Sequence, residues 1–255
     1  METFPILDAL AKKMLGLANQ ARESNHVGVK KEISIWVPGC SFLSKRIWDQ
    51  CLKLNPKTCI TTHGGMSMDY KIKILGFSGS LRKGSYNRAM LTTALKMFPE
   101  TAILELFDLD GIPPFSQDLE GNPPERVKEF KAKIRSADAI LVATPEYNYS
   151  IPGVLKNAID WASRPYGDNA FDGKPVAIMG ASVGMLGTAR AQYHLRQSCV
   201  FLNMYPLNQP EVMVPFAADK FDREGRLTDE KTKRKIGELL DGLVSWTQTL
   251  RKAKS

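Results

Sequence analysis

Two short stretches carry residue types that can do chemistry. The first, "GSLRKGSYNRAM" (residues 79–90), combines small residues with Ser80, Ser85 and Asn87 and adds Arg82 and Lys83. Small side chains let the backbone come close to a ligand, short polar groups supply hydrogen bonds, and Arg82 brings charge with a forked donor set. A helix is expected to follow, and its unpaired N–H groups point at the same spot, which makes an anion seat. A terminal phosphate suits that donor set. The same turn also serves as a plain N-cap, with Ser85 as the capping residue. It has neither the Lys-Ser/Thr ending of a nucleoside-triphosphate loop nor GxGxxG spacing. The second stretch, "TPEYNYSIPGVLKNAIDWAS" (144–163), crowds Glu146, Tyr147, Asn148 and Tyr149 between Pro145 and Pro152 and then turns helical. The prolines stiffen this loop, so less entropy is lost when something binds there.

Stretches like these need a scaffold, and the pattern from Lys71 onward supplies one. Short apolar runs at 72–80, 102–109, 138–145, 174–182 and 211–215 read as strands. They alternate with amphipathic segments at 87–98, 124–137, 153–163, 188–203 and 229–251. "DAILVATP" is almost continuously apolar, as a strand covered on both faces must be. The alternation predicts an α/β fold: a doubly wound, five-stranded parallel sheet with helices on both faces. Ligands of such folds bind beyond the carboxyl ends of the strands, so the loops after the first, third and fourth strands are where to look.

Residues 1–69 lack that rhythm. Leu7, Leu10, Met14, Leu17 and Ala21 share helical spacing, which predicts one amphipathic helix. The segment is expected to be an N-terminal extension, poorly ordered or partly helical: a loose tail, or the product of an alternative start at Met66 or Met68. A complete domain is expected over 70–255. The chain is 255 residues long, with a net charge of +8 and 24% charged residues, an ordinary balance for a globular protein. Its basic residues are scattered and not interleaved with aromatics, which argues against nucleic acid. The densest run, "KTKRK" at 231–235, reads as a solvated helix face. No apolar run is long enough to span a bilayer, and no secretory or mitochondrial leader is evident. Cys40, Cys51, Cys59 and Cys199 form no CxxC pair, so a zinc site is not expected and the thiols are read as reduced. The cytoplasm is the simplest compartment.

"GSLRKGSYN" with "TPEYNYSIPGVLKNAIDW", in that order and spacing, resembles the NAD(P)H-dependent FMN reductase family, in its chromate reductase and quinone reductase branch. The likeness runs over about residues 71–250 and includes "FDGKPVAIMGAS" and "ARAQYHLRQ". It implies a flavodoxin-like fold, bound FMN, NADPH or NADH as electron donor, and a homodimer or homotetramer in which a neighbouring subunit borders the flavin. Carried onto this chain, Ser80, Leu81, Arg82, Lys83, Gly84, Ser85, Tyr86 and Asn87 hold the ribityl phosphate. Glu146, Tyr147, Asn148 and Tyr149 lie along the isoalloxazine ring, and Ser182 closes the site from the fourth strand.

The chemistry of the ring agrees, since a tyrosine offers an aromatic face or a hydroxyl and Asn148 can meet the ring's donor–acceptor edge. The implied activity passes electrons from NAD(P)H through the flavin to a quinone, with chromate, azo compounds and free flavin as further acceptors. No side chain is required as catalytic acid or base. Asn157, Asp160 and Trp161 read as packing and capping residues. Arg190, Tyr193 and Arg196 share one helix face, His194 reads as structural, and the resemblance has Arg190 and Tyr193 meeting Glu211 of another subunit. Two other classes fit less well: a flavodoxin-type electron carrier, which would tend to be acidic, and a flavin-binding interaction protein whose turnover is incidental.

Overall fold

The computed structural model describes residues 70–254, so the expectations for residues 1–69 lie outside the described residues. Six strands and five α-helices follow in order: β1 (Ile72–Ser78), α1 (Tyr86–Met97), β2 (Ala102–Phe107), α2 (Glu125–Ser136), β3 (Ala139–Ala143), α3 (Gly153–Ala162), β4 (Pro175–Ala181), α4 (Ala189–Phe201), β5 (Tyr205–Pro206), β6 (Val212–Val214) and α5 (Glu230–Lys254). The sheet is parallel throughout, in the order β2-β1-β3-β4-β5, with β6 also on β4.

β1, β3 and β4 are buried on both faces except at Lys73, which is why their sequences run apolar without alternating. At the edge, β2 leaves Ile103 and Leu106 exposed. Two apolar layers sandwich the sheet. On one side Met90, Leu91 and Ala94 of α1 and Ile236, Leu239, Leu240 and Leu243 of α5 cover Ile72, Ile74 and Leu141. On the other, Phe130 and Ile134 of α2, Leu155 and Ile159 of α3, and Leu195 and Cys199 of α4 cover Leu75, Phe77 and Ile140. Phe130 is the hub of that layer, edge-on to Phe77 at 5.3 Å and stacked on Phe107 at 5.0 Å. Burial pushes the Cys199 thiol up to about 11, so it stays protonated and inert.

The five expected strands are all present, the fifth as β6, and one short piece, β5, is added beside it. The fifth position is filled by two short pieces: β5 pairs with Pro175 and Val176, and β6 with Met179, Gly180 and Ala181. Leu207 N–H still donates to Val176 O at 2.8 Å, and the chain then leaves the ladder before β6, in a stretch where Pro210 has no N–H to donate. The two-residue β5 carries no apolar run that a periodicity argument can detect.

In this strand order the chain reverses direction across the sheet between β1 and β3. The segments leaving β1, β3 and β4 all emerge at the carboxyl edge. Their carboxyl ends are locked together: Gly79 N–H donates to Ala143 O at 2.9 Å, Thr144 N–H to Met179 O at 2.9 Å, and Ser182 N–H to Val214 O at 3.0 Å. No helix among the described residues is long and apolar enough to cross a membrane.

Candidate functional site

The turn after β1 is made from its own backbone. Ser85 N–H donates to Arg82 O at 3.1 Å, and the Ser85 hydroxyl accepts from Arg88 N–H at 3.4 Å as the N-cap of α1. The N–H groups of Tyr86 and Asn87 then open the helix without an intrahelical acceptor. Ser80 is buried, its N–H donates to Ser78 Oγ at 3.2 Å, and its own hydroxyl bonds no described protein group. Leu81, Arg82, Lys83 and Gly84 are exposed, with the Arg82 guanidinium 5.3 Å from the Tyr86 ring. Asp108, which shares a small cleft with Ser80, is occupied by Arg88 at 2.7 Å. The turn therefore offers hydroxyls, free amides and two cations, a donor set for a dianionic phosphate.

Gly79 has a packing reason for being glycine, because a Cβ there would sit 2.9 Å from Pro152. That contact brings the turn after β1 against the loop after β3. Asn87 plays a part that its sequence position does not reveal. Its buried amide donates to Ala181 O at 3.0 Å and accepts from Ala181 N–H at 2.9 Å. The side chain pins the start of α1 to the end of β4, which leaves its backbone N–H as the group free for a ligand.

The loop after β3 is tied to a different element, α4. Thr188 caps α4 without a side-chain bond, and Glu146 takes over that task from 44 residues away. Its carboxylate accepts from Arg190 N–H at 3.0 Å, Ala191 N–H at 3.1 Å and Arg190 Nε at 2.6 Å. An anion at a helix N-terminus is favoured by both the orphan amides and the helix dipole. Beyond Glu146 the chain reverses in two residues. Tyr147 and Ser150 exchange backbone hydrogen bonds at 3.0 and 2.9 Å, with Asn148 and Tyr149 at φ of 51° and 63°. Two consecutive positive φ values mark a type I′ turn. Asn tolerates that region, whereas Tyr is rarely found there. The Tyr149 ring lies 3.5 Å from the Arg190 guanidinium, and Ser150 Oγ is 3.0 Å from His194 Nδ1.

A cleft of about 610 Å³ opens beside this turn, lined by Glu146, Asn148, Tyr149, Ser182, Gly184 and Arg190, with Met185 and Leu186 on its rim. Tyr149 is 67% exposed and Met185 72%, so a flat aromatic or amphipathic ligand would find apolar surface there, while Tyr147, 52% exposed, is not among the lining residues. The Ser182 hydroxyl accepts from Gly184 N–H at 3.1 Å and shapes the far wall.

The structure thus brings Glu146, Asn148, Tyr149 and Ser182 to one cleft and groups Ser80 through Asn87 one strand away. Two residues beyond that set also belong to the neighbourhood. Arg190 lines the cleft, and Pro152 fixes the contact between the two loops. Arg190 was visible as a member of a helix face, but its partners Glu146 and Tyr149 are tertiary. Tyr193 donates to Glu211 Oε1 of its own chain at 3.0 Å, and that carboxylate raises the phenol's pKa. Both residues expected to meet a neighbouring subunit therefore have partners within the chain. Asn157 and Trp161 both donate to Pro113 O at 2.8 Å, and Asp160 pairs with Lys156 at 2.7 Å, as packing residues do.

Comparison with known proteins adds a separate line. Residues 72–219 match the family model for NADPH-dependent FMN reductase. An NAD(P)H-dependent FMN reductase of Pseudomonas aeruginosa is 55% identical over 186 residues, covering 72% of this chain and 100% of the relative. A 2-hydroxy-1,4-benzoquinone reductase from Burkholderia is 41% identical over 180 residues, 71% of this chain and 98% of the relative. Among solved structures, the flavoenzyme NAD(P)H:(acceptor) oxidoreductase FerB of Paracoccus denitrificans superposes with a TM-score of 0.65 at 36% identity, covering 70% of this chain and 98% of that one.

Proposed function

The chain belongs to the NADPH-dependent FMN reductase family, and from that premise we propose that residues 70–255 form an FMN-dependent NAD(P)H:quinone oxidoreductase. The observation that carries this reading is the meeting of a phosphate-type turn and an aromatic cleft at one edge of the sheet. The donor set fits FMN. Hydroxyls and amides of Ser80 through Asn87, with Arg82 and Lys83, suit its terminal phosphate, and the exposed Tyr147 and Tyr149 with the Asn148 amide suit a planar ring with a hydrogen-bonding edge. When bound, the flavin supplies two-electron chemistry between a reduced nicotinamide and an acceptor.

The protein's part is to bind, orient and restrict. Arg82 and Lys83 neutralise the phosphate, and Asn87 keeps its turn in register with the end of β4. Glu146 fixes the start of the ring loop on α4, and Arg190 holds the Tyr149 ring at the cleft wall. Donor and acceptor would occupy the same open cleft in turn, so broad acceptor choice is expected. Relatives named quinone reductase support quinones first, with chromate, azo compounds and free flavin as further acceptors. No side chain is assigned as acid or base, and the ring nitrogen of His194 nearest the loop is already engaged by Ser150.

The exposed aromatic and aliphatic side chains Tyr166, Val200 and Phe201, at 76%, 81% and 77%, support a homodimer or homotetramer, which light scattering would test. A cytoplasmic location is part of the same reading. The deciding experiment is a visible spectrum of the purified protein followed by steady-state oxidation of NADPH and NADH with 1,4-benzoquinone. Saturable turnover by FMN-loaded protein is expected, and negligible turnover by a yellow, fully loaded sample would overturn the assignment.

A further inference from the structure

The loop between β4 and α4 carries apolar side chains that the core does not use. Val183, Met185 and Leu186 are 65%, 72% and 49% exposed, and Phe216, beside them, is 52% exposed. None of the four belongs to the two apolar layers that cover the sheet. Exposed apolar residues standing singly are ordinary, whereas a contiguous group marks a binding surface. The stretch from Ala181 to Ala189 holds no charged residue, and neither does the stretch from Val212 to Ala218. The two charged side chains that line the adjoining cleft, Glu146 and Arg190, are paired with each other at 2.6 Å. This corner of the molecule is therefore apolar and electrically quiet.

Backbone hydrogen bonds hold the loop in place and leave its apolar side chains exposed. Ser182 N–H donates to Val214 O at 3.0 Å and Ala217 N–H to Ser182 O at 3.0 Å. Gly184 O accepts from Gly187 N–H at 3.2 Å and from Phe216 N–H at 3.4 Å. Gly187, at a φ of 60°, lies so close to β6 that a Cβ would stand 3.0 Å from Val214 N. Phe216 sits at a φ of 49°, a region that bulky residues rarely adopt. Met185 and Leu186 thus form a fixed lip on the aromatic cleft, and Val183 and Phe216 extend it. The exposed Val200 and Phe201 are a separate feature. Val200 stands eleven residues after Ala189, at the other end of α4, about 16 Å away along the helix.

We infer that this lip is a subsite for the hydrocarbon side chain of the acceptor, so that quinones carrying an alkyl or isoprenoid tail are preferred to tail-free ones. The inference rests on the oxidoreductase reading above, which puts the quinone ring in the adjoining cleft. A ring lying against Tyr149 has Met185 and Leu186 at the cleft's edge, and a tail leaving that ring would run over them. Laying part of a five-carbon tail on these side chains removes enough apolar surface from water to favour the tailed quinone about tenfold. Methionine suits the task, because its unbranched, polarisable side chain adapts to partners of different shape. A charged substituent would find no partner on the lip and would lose hydration there.

The test uses FMN-loaded Met185→Gln/Leu186→Gln protein beside the wild type, with 2,3-dimethoxy-5-methyl-1,4-benzoquinone and its homologue bearing a single isoprene unit as acceptors. In the wild type the KM for the prenylated quinone is expected to be about tenfold below that for the plain one, and in the variant the ratio should fall to about one. Equal KM values in the wild type, or a variant that keeps the ratio, would overturn the inference and leave the oxidoreductase reading intact. A variant that keeps the ratio but loses mass in light scattering would assign the lip to a second copy of the chain instead. Calorimetric titration provides a readout that needs no turnover. 4-Hexylresorcinol, whose meta-diol ring does not cycle with a quinone, should bind the wild type more tightly than resorcinol does, and lose that advantage in the variant. Equal affinity of the wild type for the two resorcinols would also overturn the inference. Failure of FMN-loaded wild type to reduce either quinone, with lip-dependent binding of 4-hexylresorcinol intact, would sink the oxidoreductase reading and leave the apolar subsite standing.

Discussion

The turn after β1 is closed by its own backbone and fastened to the sheet only where its helix starts, through Asn87, whereas the turn after β3 is held by a helix 44 residues further along the chain. The first contains Gly79 and Gly84 and needs only Ser85 to close its cap. The second contains no glycine between Thr144 and Pro152, yet places Asn148 and Tyr149 at positive φ. It can do so because Glu146 and Arg190 anchor one side and Ser150 and His194 the other. A phosphate is met by amides, which any sequence possesses, so its turn can be locally determined. A flat ring must be met by particular side chains at particular angles, so its loop has to be fixed from outside. If this contrast is right, damage to the second loop should spread into the fold, and damage to the first should stay local.

The largest effect is expected for Glu146→Ala. The Glu146 side chain is only 6% exposed and accepts three hydrogen bonds. Its removal strands two amides and a guanidinium at the start of α4. Stability should fall by about 2–3 kcal/mol in urea unfolding, below the figure for a fully buried pair because Arg190 is partly solvated. Exchange of the Arg190 and Ala191 amides should accelerate as well. A loss smaller than that of Ser85→Ala would break the comparison.

Next in size comes Asn87→Ala, which leaves the Ala181 N–H and C=O unpaired in a buried setting and should cost about 2 kcal/mol. Asn87→Asp keeps the acceptor, turns the donor into a repelling oxygen, and should be no better than Ala. Rescue by Asp would show that the bond from Asn87 to Ala181 O contributes little.

These two residues show where reading the sequence stops. The alternation from Lys71 onward specified all five expected strands and all five helices to within a few residues, because buried strands and amphipathic helices write their period locally. Ser85 as a cap was legible for the same reason. Glu146 and Asn87 were legible as members of the right loops, but not in their partners. Each bonds a backbone group brought near only by the folded sheet, at separations of 44 and 94 residues. The added piece, β5, was hidden because it is two residues long. Arg190 and Tyr193 were placed on one face of α4, and within the chain they meet Glu146, Tyr149 and Glu211, which no local pattern announces.

Ser85→Ala probes the local turn. Loss of an N-cap costs about 1 kcal/mol, and nothing outside α1 depends on that hydroxyl in the structure. The FMN dissociation constant should rise about tenfold, as for one lost hydrogen bond to a charged group, with the amide exchange of α4 unchanged. Accelerated exchange in α4 would mean that the two loops are coupled through Gly79 and Pro152 more strongly than their separate anchoring suggests.

The smallest stability effect, and the sharpest separation of fold from function, is expected for Tyr149→Gly. Tyrosine at a φ of 63° costs on the order of 1 kcal/mol, which glycine would recover. Against that, glycine loses about 0.5–1 kcal/mol of backbone entropy and the contact with Arg190, itself about 0.5–1 kcal/mol at a partly exposed site. The terms nearly cancel, so unfolding free energy should move by less than about 1 kcal/mol. A bulky aromatic side chain held in an unfavourable backbone region with no net gain in stability needs another reason to be there, and its 67% exposed ring faces the cleft where a ring would lie. The KM for 1,4-benzoquinone should therefore rise several-fold in Tyr149→Gly while the fold is untouched. An unchanged KM would assign the tyrosine to holding Arg190 and nothing more.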